Sequence, residues 1–204
     1  MTIDAATTRM LETSSLEVGL RGQSLRLMAG GGVYHPKTQT LFVADLHLGK
    51  DATFRKSGLA VPVGSERATL QQVSSLIDRS RAKQLFLLGD LFHARSSLSQ
   101  DVIETWCDFR EQHDSVGMTL VRGNHDAGIR QLPETWRLPM IEEAHQHAGM
   151  DLLHHPSEVF DDETPLALAG HVHPSYRFMS STDNLGRVPC FWYRKGCLVL
   201  PAIV

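Results

Sequence analysis

Short apolar runs that break off into polar residues recur along this chain. Leu41-Phe42-Val43-Ala44 stops at Asp45, Leu85-Phe86-Leu87-Leu88 at Gly89-Asp90, and Met118-Thr119-Leu120-Val121 leads into Gly123-Asn124-His125. Asp151-Leu152-Leu153 ends in His154, and Leu166-Ala167-Leu168-Ala169 in Gly170-His171. Unbroken runs of this length predict strands buried on both faces. Between them the spacing turns helical. Residues 65–82 begin at Ser65, a suitable N-cap, and carry Leu70, Val73, Leu76 and Ile77 on one stripe. Residues 99–113 group Val102, Ile103, Trp106 and Phe109 in the same way. Strands alternating with helices predict an α/β domain with a mostly parallel central sheet. Ligands of such sheets bind beyond the carboxyl ends of the strands, where each of these polar clusters falls.

The flanks read differently. Residues 1–15 are polar and rich in Thr and Ser, a tail outside a single domain of residues 16–204. Residues 16–40 alternate apolar and polar types around Gly30-Gly31-Gly32 and His35-Pro36, which predicts two or three antiparallel strands. Short β-like segments return at Cys190-Phe191-Trp192-Tyr193 and Cys197-Leu198-Val199-Leu200.

Composition narrows the class. The 204 residues suffice for one well-buried core, and 42% hydrophobic with 21% charged residues is close to a soluble average. No apolar run is long enough to cross a bilayer. The start, Met1-Thr2-Ile3-Asp4, lacks a basic segment followed by an apolar one, so no membrane association and a cytoplasmic location are expected. Cys107, Cys190 and Cys197 are too few and too scattered for a disulfide framework or a thiolate zinc site. A net charge of -3 excludes nucleic-acid binding through bulk basicity, though not through a local site.

The 11 histidines then become informative through their placement. Asp45 and His47 stand two apart at a strand end, where alternate residues share a side. Asp90 adds a carboxylate, Asn124 an amide oxygen, and His125, His154, His171 and His173 add imidazoles. With His125 set aside, two carboxylates, one amide and four imidazoles exceed the needs of one tetrahedral zinc. They suit two divalent ions roughly 3.5–4 Å apart, a clamp for in-line displacement at phosphorus. Mixed oxygen and imidazole donors without thiolate favour manganese, iron, zinc or a similar first-row ion, with manganese expected first and magnesium an alternative. Any one histidine is more often an ordinary surface residue; clusters at five separate strand ends are not.

Taken in order, Asp45-x-His47, Gly89-Asp90, Gly123-Asn124-His125-Asp126, His154 and Gly170-His171-x-His173 resemble the calcineurin-like metallophosphoesterase superfamily. The resemblance runs from about residue 41 to 173. It implies an α/β four-layer sandwich, two mixed β-sheets flanked by helices, with a dinuclear metal centre. It further implies Asp45, His47 and His173 as ligands of one ion, and Asn124, His154 and His171 as ligands of the other. Asp90 is then the bridging carboxylate and His125 the general acid. His154 and His155 both qualify at the fourth motif; His154 is preferred because it ends the apolar run.

One departure changes the expectation. Many phosphatases of this superfamily carry a second Asp where this chain has His93. Gly89-Asp90-Leu91-Phe92-His93 instead resembles DNA repair nucleases of the superfamily, which implies that His93 helps to position a phosphodiester. His93 and Asp126 are then the candidates for orienting His125.

A longer match includes Val43 to Lys50, Phe54-Arg55, Val61-Pro62 and Leu91-Phe92-His93-Ala94-Arg95. It resembles the DNA-ligase-associated metallophosphoesterases, which are linked to a bacterial ligase, helicase and exonuclease in a DNA damage response. Members often continue past the Leu200-Pro201-Ala202 region, so a terminal strand is expected to be missing or different.

Lys50, Arg55, Lys56, Arg95, Arg122 and Arg130 cluster around the motifs although the chain is acidic overall. Lys50, Arg55 and Arg95 are the expected contacts to an anionic substrate. Phe54 and Phe92 read first as core and second as base-stacking residues. The expected activity is a metal-dependent phosphodiesterase or endonuclease acting on nucleic acid in DNA repair. A small-molecule phosphatase or cyclic-nucleotide phosphodiesterase is the alternative. The complete donor set and His125 speak against a silent binding module.

Overall fold

The computed structural model describes residues 15–51, 65–94, 97–157, 164–179 and 183–203. Residues 1–14 of the expected tail lie outside the described residues, as do Phe54, Arg55, Lys56, Val61-Pro62 and Arg95.

Seven strands follow one another in a first sheet: β1 (Ser15–Leu20), β2 (Gln23–Met28), β3 (Gly32–His35), β4 (Thr40–Val43), β5 (Gln84–Leu88), β6 (Gly117–Val121) and β7 (Met140–Ile141). β1 to β4 form an antiparallel meander, as the alternating pattern of residues 16–40 predicts. β4 to β7 run parallel, so the sheet is mixed rather than mostly parallel. The parallel connections are helical: α1 (Ser65–Ser80) joins β4 to β5 and α2 (Gln100–Gln112) joins β5 to β6.

A second mixed sheet is built from β8 (His145–His147), β9 (Met150–Leu152), β10 (Leu166–Ala169), β13 (Trp192–Arg194) and β14 (Cys197–Val199). Its central strands β9, β10 and β14 are parallel, and both edges are antiparallel. β11 (Ser175–Met179) and β12 (Asn184–Pro189) form a separate two-stranded ribbon. Its described side chains are largely exposed, Tyr176 and Phe178 packing edge to face on each other at 4.9 Å rather than on a core, so no buried apolar run announces it.

The apolar runs are buried on both faces because each strand separates two layers. In β4 and β5, Leu41, Val43, Leu85 and Leu87 face a cluster with Leu70, Val73, Leu76 and Ile77 of α1 and Val102, Trp106 and Phe109 of α2. Phe42, Ala44, Phe86 and Leu88 face the other way and meet Met150, Leu152, Leu166, Leu168 and Leu198 of the second sheet. This period of two is what a pleated strand between two packed layers requires. Behind the second sheet lies a smaller cluster, Leu153, Ala167, Ala169, Cys197 and Val199. The chain is thus an α/β sandwich of two mixed sheets, with the described helices on the outer face of the first. No described helix is long and apolar enough to cross a membrane.

Local signals are partly displaced. Ser99 caps α2, its hydroxyl accepting from Val102 N at 3.4 Å. Ser65 does not cap α1: it is the first helical residue, and its N–H donates to Asp51 Oδ2 at 3.3 Å. A carboxylate at the positive end of a helix supplies the missing acceptor and suits the dipole. Phe92 is fully buried and stacks on Trp136 at 5.8 Å, and Trp136 stacks on Trp106 at 4.8 Å, so Phe92 belongs to the core.

His113 closes α2 and is buried against Phe109. Burial pulls its pKa down; Asp78 opposes this and Arg110 reinforces it. A histidine depressed in the folded state takes up its proton more readily when unfolded, so stability is lost as pH falls below the ordinary histidine value near 6.5. His113→Leu is expected to shrink the drop in urea midpoint between pH 7.5 and 5.5. An unchanged drop would show that His113 carries none of it.

Candidate metal centre

All five polar clusters meet where the carboxyl ends of the two sheets come together. β4 delivers Asp45 and His47, β5 Asp90, β6 Asn124 and His125, β9 His154, and β10 His171 and His173. The side chains converge on two foci. At one, His47 Nε2 and His173 Nε2 lie 3.2 Å apart, with Asp45 Oδ1 3.6 Å from His173 Nε2. At the other, His154 Nε2 lies 2.9 Å from Asn124 Oδ1, 3.2 Å from His171 Nδ1 and 3.4 Å from Asp90 Oδ2. Ligand atoms of Asp45, Asp90 and His154 all lie within 4.8 Å of one another, which joins the foci.

The chemistry of these contacts fits a cation. Asp45 is fully buried, yet its Oδ1 has no hydrogen-bond partner among the described residues. Such an orphaned carboxylate oxygen is costly unless a positive charge lies beside it. The Nδ1–H of His154 donates to Leu88 O at 3.1 Å, which turns the Nε2 lone pair toward Asn124, Asp90 and His171. Acceptors that face acceptors in this way need a proton or a metal ion between them. Burial pulls His47 down to about 4 against the attraction of Asp45 and Asp90, so its ring is neutral at pH 7 with a lone pair to give. Burial would likewise lower His154, but its bonds to Asp90 and Leu88 O prevail and raise it. Asp90 is held low because those with His154 and the His125 N–H outweigh its burial.

Backbone geometry, not strand pleat, aims the ligands. Asp45, His47, Asp90, His171 and His173 all have positive φ, between 46° and 68°. The shared direction of Asp45 and His47 therefore comes from left-handed turns on either side of buried Leu46, which corrects the strand-end explanation. Left-handed backbone costs L-residues energy and concentrates at functional sites.

The motifs also hold one another. The His171 N–H donates to Asp45 Oδ2 at 2.8 Å, and the His125 N–H to Asp90 Oδ1 at 2.9 Å. Each carboxylate thus has one oxygen fixed by a distant motif and the other turned into the site. Asp126, fully buried, accepts from the N–H groups of Gly123, Leu91 and Phe92. It ties the third motif to the second and does not touch His125 through its carboxylate.

His125 is oriented by the other candidate, though through the main chain: its Nδ1–H donates to the backbone carbonyl of His93 at 2.5 Å. The Nε2 then faces the site, 3.9 Å from Asp90 Oδ2. The His93 ring lies nearly parallel to that of His125, with 5.7 Å between centroids. Burial, His125 and Lys50, in that order, lower the His93 pKa. Arg122 is engaged elsewhere, bonded to Glu142 and to Ile129 O. His155 stands at the rim with Nδ1 2.9 Å from Glu143 Oε1, its ring 4.4 Å from His171.

A pair of sheets gathering these donors at one edge defines a phosphoester hydrolase of the calcineurin-like type. The profile of the calcineurin-like phosphoesterase family matches residues 38–194, and the chain belongs to that family, whose members use divalent metals. Among solved structures it is similar to the Pseudomonas putida nuclease MPE, with a TM-score of 0.79 and 31% identity over 93% of this chain and 87% of that one. No curated protein matches the chain.

The packing around Asp90 gives a direct test. A Cβ on Gly123 would lie 2.3 Å from both Asp90 N and Asp90 Oδ1, whereas one on Gly19 would meet nothing within 4 Å. Gly123→Ala is expected to displace Asp90, costing roughly 1–3 kcal/mol as overpacking does, and to lower bound metal below the wild-type content. Gly19→Ala should leave metal content unchanged by elemental analysis. Full loading of Gly123→Ala would show that Asp90 is not needed to hold the ions.

Proposed function

We propose that this chain hydrolyses phosphodiester bonds in nucleic acid, DNA first, with two divalent ions in the site. Asp45, His47 and His173 hold one ion, Asn124, His154 and His171 the other, and Asp90 stands between them. Manganese is the expected ion, and donors that mix oxygen and imidazole without thiolate support a first-row divalent ion of this kind. The observation that carries the reading is the convergence of these seven donors on two adjoining foci, with Asp45 Oδ1 buried and accepting no hydrogen bond among the described residues. The ions supply acidity for a water and positive charge for phosphoryl oxygens.

The chain's own residues do the rest. His125, its Nδ1–H held by His93 O, keeps Nε2 at the mouth as general acid and protonates the leaving oxygen. The His93 ring beside it positions the diester, and Lys50 adds attraction for phosphate; Arg55 and Arg95 are assigned the same task. His93 in place of an acid, and 31% identity to a protein described as a nuclease, support a nucleic-acid diester over a small phosphomonoester. The resemblance to the ligase-associated family supports action in DNA repair beside a ligase, a helicase and an exonuclease.

Manganese-loaded protein should cleave single-stranded DNA and bis-p-nitrophenyl phosphate. Cleavage confined to phosphomonoesters or to 2',3'-cyclic nucleotides would replace this reading with that of a small-molecule enzyme. His125→Ala should keep both equivalents of metal while turnover falls about 10²–10⁴-fold, the usual worth of a general acid. Asp90→Ala should lose at least one equivalent. Two fully loaded variants would overturn the assigned roles.

A further inference from the structure

A groove of about 630 Å³ opens directly beside the metal centre, on the outer side of the second sheet. His171 forms one wall, and its Nδ1 lies 3.2 Å from His154 Nε2, so groove and centre share a residue. The far wall is the β13–β14 hairpin with Trp192, Arg194 and Lys195, and the floor includes Cys197 and Val199. Burial pushes the Cys197 thiol up to about 12, so the floor offers no thiolate. The groove is of the size that accepts small organic ligands.

Its chemistry is selective. The described lining contains two permanent cations and no carboxylate, in a chain whose net charge is -3. Trp192 and Arg194 stand two residues apart on edge strand β13 and share the face toward the groove, whereas Tyr193 points to the opposite face. Lys195 and Gly196, with φ of 47° and 85°, form the two-residue turn between paired Arg194 and Cys197, a rigid mount for the cations. Trp192 remains 41% exposed. An aromatic face interleaved with cations along a groove suits unpaired bases on a phosphate chain, because every base has a π-face and every linkage a negative charge.

We propose that this groove is the subsite for a nucleotide flanking the scissile phosphate of a single-stranded nucleic acid. Trp192 stacks on its base, and Arg194 and Lys195 take the phosphates on either side. The inference rests on the phosphodiesterase reading above and adds where the strand leaves the metal centre: past His171, along the face of β13. A base inside a duplex has no free face for Trp192, so this subsite selects unpaired strands.

The test uses the full chain, a fluorescein-labelled oligothymidylate for binding, and bis-p-nitrophenyl phosphate as a diester with no second phosphate. Trp192→Ala should weaken oligonucleotide binding about 5- to 100-fold, the range for loss of one stacked base. Trp192→Phe should restore most of it. Arg194→Gln with Lys195→Gln should reduce the slope of log affinity against log salt by about 1.4, as expected for two single-strand phosphate contacts. All three variants should keep the metal content of wild type by elemental analysis, since none of these residues belongs to the donor set. The proposal is overturned if Trp192→Ala binds like wild type, if Tyr193→Ala weakens binding as much, or if the wild type does not bind the oligonucleotide. It is also overturned if Trp192→Ala only turns a dimer into monomers in sedimentation, which would make the groove an interface between copies. Failure of wild type to cleave bis-p-nitrophenyl phosphate sinks the phosphodiesterase reading instead, whatever the oligonucleotide does.

Discussion

Two carboxylates and several imidazole lone pairs cannot be brought within a few ångströms of one another without an opposing attraction. Ligand oxygens of Asp45 and Asp90 lie within 4.8 Å, a repulsion of at least about 3.5 kcal/mol at an effective dielectric of about 20. Against it stand two buried N–H donors, from His171 to Asp45 and from His125 to Asp90. A hydrogen bond to a charged group contributes about 1.5–3 kcal/mol, so the pair is of the same size as the repulsion. The protein therefore holds the ligands close to position by itself, and the ions complete an arrangement that the backbone has already drawn together.

That balance depends on the sandwich. Donors and acceptors of the motifs arise from strands of both sheets, and they align only because the sheets pack through Phe42, Phe86, Leu152 and Leu168. The loops after β4 and β5 run side by side, with His47 N donating to Asp90 O and His93 N to Leu48 O. Asp126 locks the third loop to the second, and the stack of Phe92, Trp136 and Trp106 shares one buried cluster with Leu91.

Much of this was legible in the residues. Leu85-Phe86-Leu87-Leu88 reads as a strand because both its faces meet packed layers, and the polar residue that ends such a run falls at the sheet edge. His154 could be preferred over His155 for the same reason. What stayed hidden involves partners without side-chain signatures or far away in the chain. The bond from His125 goes to a main-chain carbonyl at residue 93, which any residue there would offer. Asp51 bonds to the first N–H of α1 from 14 residues upstream, beyond the reach of capping rules. Arg122 is a loop cation by position, yet it is bonded to Glu142 and Ile129 O. The Trp192–Arg194 face could not be separated from ordinary strand alternation until β13 was seen at the edge of the second sheet.

The left-handed backbone at Asp45, His47, Asp90, His171 and His173 carries a further consequence. Asp, Asn and His are the non-glycine residues that tolerate this region best, and they are also metal-binding types. Glu or Gln would offer a comparable oxygen but on a residue less at ease with such torsions. At these five positions the torsions favour imidazole and short carboxylate, so an exchange among imidazole, short carboxylate and short amide disturbs the backbone least.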